Sequence, residues 1–340
     1  MPAPICITGA TGYVGSHIVE AFLAAGIPVR AAVRSPDDTE KTAHLHAMAE
    51  RHGAELTLHA ADLGTPGSFD AALEGCEGLV HVAAVARLTA PDPQAQIVDP
   101  SVEGARNVLA AATAAGVRRV VLTSSVAAIG SYRASQDHPL TEADWNDAAT
   151  LDKDPYGLAK TSAERLAWEL ADAAPWDLVV CNPAMVLGPV FNKRHCKASP
   201  VIVRDILLRS FPANPRFCFG IVDARDVAAA HLAAFQRPDA HGRHLLCAGN
   251  RWMRDMAVLL EESFRAFRIR TGTLPNLALR AAALFDKRMD KNMLADILDR
   301  EPHYDGSHAT RALGITYRDI DQSVIETARS MVEQGLVAAR

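Results

Sequence analysis

Residues Ile5 to His17 read ICITGATGYVGSH, and this stretch constrains the chain more than any other. An apolar run, Ile5-Cys6-Ile7, enters three glycines spaced by three, Gly9, Gly12 and Gly15, and leaves through an amphipathic run from Val14 to Ala25. A strand, a glycine turn and a helix in that order present free backbone N–H groups at a helix N-terminus, where the helix dipole favours phosphate. Gly9 is expected to allow the tight turn, Gly12 the close approach of backbone to a dinucleotide pyrophosphate, and Gly15 the close packing of helix on strand. Thr8, Gly9, Thr11, Gly12, Tyr13, Val14 and Gly15 are therefore the first candidate cofactor-binding residues. The same glycines also suit an ordinary strand-to-helix turn, so the residues downstream have to decide.

Downstream, short β-rich runs alternate with longer helical ones. The patterns predict strands over 5–8, 29–33, 56–59, 78–82, 117–123 and 178–181, and helices over 14–25, 67–73, 101–115 and 156–173. Alternation in units of roughly thirty residues predicts an α/β fold, a Rossmann-type doubly wound parallel sheet covered on both faces. Ligands then bind beyond the carboxyl ends of the strands, where the strand order reverses. After Pro183 the rhythm changes. LGPVFNKRHCKASP reads as a loop, followed by helices over 201–209, 224–235, 253–267, 277–285 and 323–335 and short strands near 216–219 and 244–247. The expected organisation is a dinucleotide-binding Rossmann domain over 1–183, with a return of about 216–236, and a smaller, mostly helical substrate-binding region over 184–340.

The 340 residues, 49% hydrophobic and 22% charged with a formal net charge of −5, hold no basic block, so nucleic acid and anionic membrane are not expected partners. The six cysteines (Cys6, Cys76, Cys181, Cys196, Cys218 and Cys247) are scattered without a CxxC pair, as reduced thiols in a cytoplasmic protein would be. The thirteen histidines have no metal-ligand spacing, and no metal is expected. The start lacks a basic region and a cleavage site, and no apolar window approaches a membrane span of about eighteen residues.

Several residues carry chemistry. Arg34 ends the second strand, at the place that faces the adenosine ribose in dinucleotide folds. An acidic residue there serves a 2′-hydroxyl and a guanidinium a 2′-phosphate, so Arg34, with Lys41 as a second positive charge, favours NADP(H) over NAD(H). A solvated strand-end charge is the other reading of Arg34. Asp62 and Leu63 follow the third strand where a carboxylate can meet the adenine amino group, although Asp62 equally suits a turn cap. Ala83 and Ala84 end the fourth strand with small side chains that let a cofactor pass. The fifth strand delivers Ser124 and Ser125 to the same edge, and Tyr156 and Lys160 follow at i and i+4 on one helix face. An ammonium beside a phenol stabilises the phenolate, which makes Tyr156 a proton donor to a carbonyl or an acceptor in reverse.

TGATGYVG, the Arg34 strand end, LTSS, YGLAK and CNPAMVLGP resemble the extended short-chain dehydrogenase/reductase family. AVRSPDDTEK, GAELTLHAADLGTPGSFDAALEGCEGLVHVA and IVDARDVAAAHLAAF are similar to its dihydroflavonol reductase and cinnamoyl-CoA reductase branch, which also holds bacterial and fungal aldehyde and ketone reductases. The resemblance runs from about Ile5 to Leu246 and is weaker beyond. It implies that Ser125 hydrogen-bonds the substrate oxygen, that Tyr156 is the catalytic acid, and that Lys160 holds the nicotinamide ribose and tunes the tyrosine. It further implies that the backbone from Pro183 to Val186 meets the nicotinamide carboxamide and that Asp223 and Asp226 are structural. The pocket region holds Ala86, Arg87, Leu88, Ile129, Phe191, His195 and Phe219, mostly apolar, which suits a hydrophobic or aromatic carbonyl compound or simply core and loop. VAAIGSYRASQDHPLTEADW departs from the substrate-specificity segment of plant flavonoid reductases, so a flavonoid substrate does not carry over.

The implied activity is NADPH-dependent reduction of an aldehyde or ketone, reversible as alcohol oxidation. A nucleotide-sugar epimerase or dehydratase is the first alternative; it would place an acidic residue shortly after the strand-end serine, where VAAIG offers none. A non-catalytic NADP-binding redox sensor is the second; it would lack the Tyr156 and Lys160 pair. Both a monomer and a homodimer pairing through 101–115 and 156–173 are compatible with the sequence.

Overall fold

Ten strands and twelve helices were found in a computed structural model, which describes residues 2–285 and 291–339. The strands are β1 (Ile5–Thr8), β2 (Val29–Val33), β3 (Leu56–Ala60), β4 (Gly78–His81), β5 (Arg119–Thr123), β6 (Asp177–Pro183), β7 (Met185–Leu187), β8 (Cys218–Asp223), β9 (Gly242–Leu246) and β10 (Gly249–Trp252). Seven make one sheet in the order β3-β2-β1-β4-β5-β6-β9, parallel throughout. The chain leaves β1 toward β2 and β3 on one side and returns to β4 on the other. The reversal opens a crevice beyond the carboxyl ends of β1 and β4.

Each central strand is an almost continuous apolar run because both faces are covered. Alternate residues divide between two cores. Ile5 and Ile7 pack with Ile18 and Phe22 on one face, and Cys6 and Leu79 with Val108, Leu109 and Ala167 on the other. The first face is covered by α1 (Tyr13–Ala24), with α2 (Thr39–His52) beside it. The second is covered by α3 (Asp70–Leu73), α4 (Asp99–Ala115) and α5 (Pro155–Ala171). Beyond β6 come α6 (Val201–Leu207), α7 (Ala224–Gln236), which packs on α1, and α8 (Met253–Ser263). The described chain closes with α9 (Asn276–Phe285), α10 (Lys291–Ile297), α11 (Ser307–Leu313) and α12 (Ile320–Glu333). The strands β7, β8 and β10 form a second, three-stranded sheet, β8 parallel to β7 and antiparallel to β10.

The first half matches the expected elements to within a few residues, with one addition. Helix α2 buries only Thr42, Leu45 and Met48, so its apolar stripe is too thin to stand out from its charged and polar residues. In the second half, β9 joins the central sheet beside β6 rather than staying with the later region, so the sheet draws a strand from beyond residue 184. The strands β7 and β10 and helices α10 and α11 are likewise additions, each of seven residues or fewer.

Several histidines lie deep in this framework and are neutral. His231 bonds Val227 O through Nδ1 at 2.7 Å, so Nδ1 carries the proton and Nε2 accepts from the Thr123 hydroxyl, also at 2.7 Å. Thr8 Oγ1 accepts from the N–H groups of Val82 and Ala83, each at 3.1 Å, and therefore donates to His81 Nδ1 at 2.8 Å. Burial holds His17, His231 and His244 down at about 4 and His81 at about 3. As pH falls below the ordinary value of 6.5, the unfolded chain takes up protons that the folded chain refuses. Stability present above that value is thus lost with acidity until the folded values are reached. Thermal unfolding measured from about pH 7.5 down to about pH 5, above the range of ordinary carboxylates, should show a falling midpoint. A flat midpoint across that window would mean that these imidazoles are not neutral in the folded protein.

Candidate active site

The glycine turn is built by close approach of backbone to backbone. Gly9 has φ +65°, and a Cβ there would stand 2.8 Å from Ala83 N. A Cβ on Gly15 would stand 2.2 Å from Gly9 O, so α1 lies against its own turn as no side chain would permit. Gly12, exposed at the N-cap of α1, offers no side-chain cap, and the first turn carries no carboxylate. Uncapped N–H groups at a helix N-terminus, reached over a glycine and without a competing anion, fit a dinucleotide diphosphate.

Of the side chains here, Thr8 is fully buried and spends its hydroxyl on β4. Tyr13 is turned inward, its phenol donating to Gly188 O at 2.9 Å. Neither side chain faces the crevice, and what these two positions offer is backbone. Thr11 and Val14 are half-buried, and Thr11 O accepts from His195 Nε2 at 3.2 Å. Arg34 is exposed just past β2, next to the end of β1. Lys41 pairs with Asp38. Asp62 is exposed, and one carboxylate oxygen accepts from Gly64 N–H at 2.9 Å, so it caps its own turn. Leu63 is tied to α4 by Asn107 Nδ2, which donates to Leu63 O at 2.8 Å. Ala83 and Ala84 follow β4 at the mouth of the crevice.

Ser125 follows β5 in extended backbone, φ −165° and ψ 157°, and caps a short 3₁₀ turn over Val126–Ala128. Its Oγ accepts from Ala127 N–H at 3.1 Å, which leaves the hydroxyl hydrogen to donate elsewhere. Helix α5 starts at Pro155 with Asp154 as its N-cap, Oδ1 accepting from Gly157 N–H at 2.8 Å. Tyr156 is half-buried in the first turn, and its phenol oxygen has no hydrogen-bond partner among the described residues. One turn on, Lys160 Nζ reaches back to Thr123 O at 3.5 Å, and α5 packs on the 3₁₀ turn. Lys160, Thr123, Ser124, His81, Ala83 and Ala84 line one cleft. The ends of β4 and β5 and the lysine thereby share a wall. Pro183 ends β6 and Val186 lies in β7, both buried.

The pocket residues separate. Phe191 and His195 sit with His17 and His44 behind the glycine turn. Ile129 is fully buried in a small core with Leu140 and Leu245. Phe219 packs on Phe217, while Ala86, Arg87 and Leu88 are exposed after β4. Asp223 caps α7 and Asp226 pairs with Arg318. Among the buried polar residues that escaped the sequence reading are Asn182, Glu164 and Arg243. The sequence signals for them were the spacing of Glu164, four residues after Lys160 on the same helix, and the place of Asn182 inside the motif CNPAMVLGP.

A glycine turn at the switch point of a parallel sheet, with a strand-end serine and a tyrosine and lysine one turn apart, defines an extended short-chain dehydrogenase/reductase. The chain belongs to the NAD dependent epimerase/dehydratase family, whose model matches residues 5–248. Within it, the chain is of the dihydroflavonol reductase and cinnamoyl-CoA reductase-like branch, and it is an NAD(P)-dependent oxidoreductase. The cinnamoyl-CoA reductase CAD2 of Medicago truncatula is 32% identical over 97% of this chain and 96% of its own length. Tetraketide alpha-pyrone reductase 2 of Arabidopsis thaliana is 37% identical over 72% of this chain and 77% of its own. Among solved structures, Gre2 of Candida albicans, crystallised with NADPH, is 26% identical over 98% of this chain and 99% of its own, with a TM-score of 0.78.

The contact at Gly15 leads to a prediction. Gly15→Ala must push α1 away from Gly9 O, which displaces the N–H groups of the first turn of α1. Fluorescence titration with NADPH should show affinity lowered by about tenfold or more, a difference of about 1.4 kcal/mol, with a lower thermal midpoint. Unchanged affinity and midpoint would show that the turn tolerates the methyl group.

Proposed function

We propose that this protein uses NADPH to reduce the carbonyl group of an aldehyde or ketone, and runs the oxidation of the corresponding alcohol in reverse. The observation that carries the reading is the free donor at Ser125. Its Oγ is fixed by Ala127 N–H, and its hydrogen is left for a substrate oxygen at the strand edge where Tyr156 and Lys160 also stand. The glycine turn holds the diphosphate, and Lys160 holds the nicotinamide ribose. Bound NADPH supplies the hydride. Ser125 polarises the carbonyl oxygen, Tyr156 delivers the proton from its phenol, and the Lys160 ammonium stabilises the phenolate left behind. In the oxidative direction Tyr156 takes the proton back.

Arg34 pairs with the 2′-phosphate. The use of NADPH in the Gre2 crystals supports this choice, as does the absence of a carboxylate at the tip of β2. Arg34→Asp should weaken NADPH by about 2–4 kcal/mol, from a lost charge-assisted contact and a new repulsion, and NADH far less. Equal losses for both cofactors, in parallel binding titrations, would make Arg34 an ordinary surface charge.

The catalytic assignment is tested by Tyr156→Phe, which keeps the ring, the helix and Lys160. Turnover should fall by roughly 10²–10⁴-fold while NADPH affinity changes little. A panel of aldehydes and ketones, with a coenzyme A thioester and a sugar nucleotide included, followed at the nicotinamide absorbance band, reads the reaction class. A variant that reduces carbonyls at the wild-type rate removes Tyr156 as the acid. Conversion of a sugar nucleotide without consumption of NADPH would favour an epimerase.

A further inference from the structure

Glu164 stands one helical turn beyond Lys160 and two beyond Tyr156 on α5, and it is 1% exposed. A carboxylate stays charged at such depth only where opposite charge and hydrogen bonds replace water. Arg243 of β9 supplies the charge, its Nε donating to Oε1 at 2.6 Å. Asn182 of β6 donates from Nδ2 to Oε2 at 2.8 Å, and the same nitrogen donates to Ser125 O at 3.2 Å. The remaining guanidinium nitrogens donate to the carbonyls of Glu142, Asp144 and Ala128, and the guanidinium lies 3.9 Å from the centre of the Trp145 ring. Those four residues belong to the segment that joins Ser125 to α5.

We propose that Glu164, Asn182 and Arg243 are positioning residues that fix Ser125 relative to Tyr156. The inference rests on the reading of both residues as donors to one carbonyl oxygen. Glu164 is rigidly attached to Tyr156 through α5, and it reaches the peptide of Ser125 through a single amide. That peptide leads into the turn whose Ala127 N–H orients the Ser125 hydroxyl. A buried ion pair is a weak source of stability, and apolar side chains would fill the same volume at least as well. Directed hydrogen bonds to one backbone carbonyl are what apolar packing would not supply. A misplacement of about 1 Å in such a constellation costs on the order of 10²-fold in rate.

Asn182→Ala gives the most direct test, because it leaves the Glu164–Arg243 contact in place and removes both hydrogen bonds of the Asn182 amide, to Ser125 O and to Glu164 Oε2. It should lower kcat by about tenfold or more, with KM for the carbonyl substrate and Kd for NADPH within about threefold of wild type, in assays run well below a thermal midpoint that falls because the buried Oε2 loses its partner. Glu164→Gln keeps an acceptor for Asn182 in a side chain of the same shape, so it should retain more kcat than Glu164→Ala when both are assayed well below their midpoints. A wild-type kcat in Asn182→Ala overturns the proposal. So does a kcat that falls only in step with the thermal midpoint or NADPH affinity. If Asn182→Ala does not fold, the ranking of the two Glu164 variants decides, and equal kcat in both overturns the proposal. A wild-type protein that reduces no carbonyl compound overturns the proposed function and this inference with it. An active wild type with unaffected variants overturns this inference alone.

Discussion

The structure depends on how closely α1 is allowed to approach the turn that precedes it. Where Gly15 would carry a side chain, the carbonyl of Gly9 already lies, and Gly9 itself is pressed against the backbone of Ala83 beyond β4. These two contacts pin the start of α1 over the crevice between β1 and β4. Thr8, buried beneath that crevice, accepts from Val82 and Ala83 and donates to His81, so that the ends of β1 and β4 are held in register. A helix N-terminus held this way offers backbone donors whose direction is set before any ligand arrives, and no loop has to be ordered to bind a phosphate.

The chemistry gathers at one edge because the strands are parallel. Each strand of the central sheet ends on the same side, so residues far apart in the chain emerge side by side: Thr8, Arg34, Ala83, Ser125 and Pro183 follow or close successive strands. The crossover from β5 through α5 to β6 must run its helix back against the strand direction, and this brings the first turn of α5 to that same edge. The helix that carries Tyr156 and Lys160 therefore packs on the turn that follows Ser125 as a consequence of topology. Oxidoreductases, epimerases and dehydratases all use such an edge, and what separates them is the set of side chains that stand on it.

The framework of the first half was legible because its signals are local. Apolar runs of four or five residues, glycines at fixed spacing and a helical i and i+4 pair need no knowledge of distant parts of the chain. The elements that were not legible fail for stated reasons. Helix α2 is half-solvated and mostly polar, with a thin stripe of Thr42, Leu45 and Met48. The strand β9 reads as an isolated short run until it is placed against β6. Thr8 and Tyr13 fall inside the cofactor motif by sequence, yet their side chains turn into the interior to satisfy partners 73 and 175 residues away.

The sequence by itself determined the alternation of strand and helix, the glycine turn and the i, i+4 pair of Tyr156 and Lys160, since each is written in spacing over a few residues, while Ser125 was singled out from Ser124 by the family resemblance. The sequence also determined that Arg34, rather than a carboxylate, stands at the tip of β2. Only the tertiary structure decided which polar residues surround them. Phe191 and His195, candidates for a substrate pocket by position, are drawn behind the glycine turn, and Ile129 into a small core. Glu164, Asn182 and Arg243, none of them assigned a role from the sequence, come together although the chain spaces them 18 and 61 residues apart. A buried polar group is defined by the partner that replaces water around it. That partner is chosen by the packing of strands and helices, and no local pattern in the chain records it.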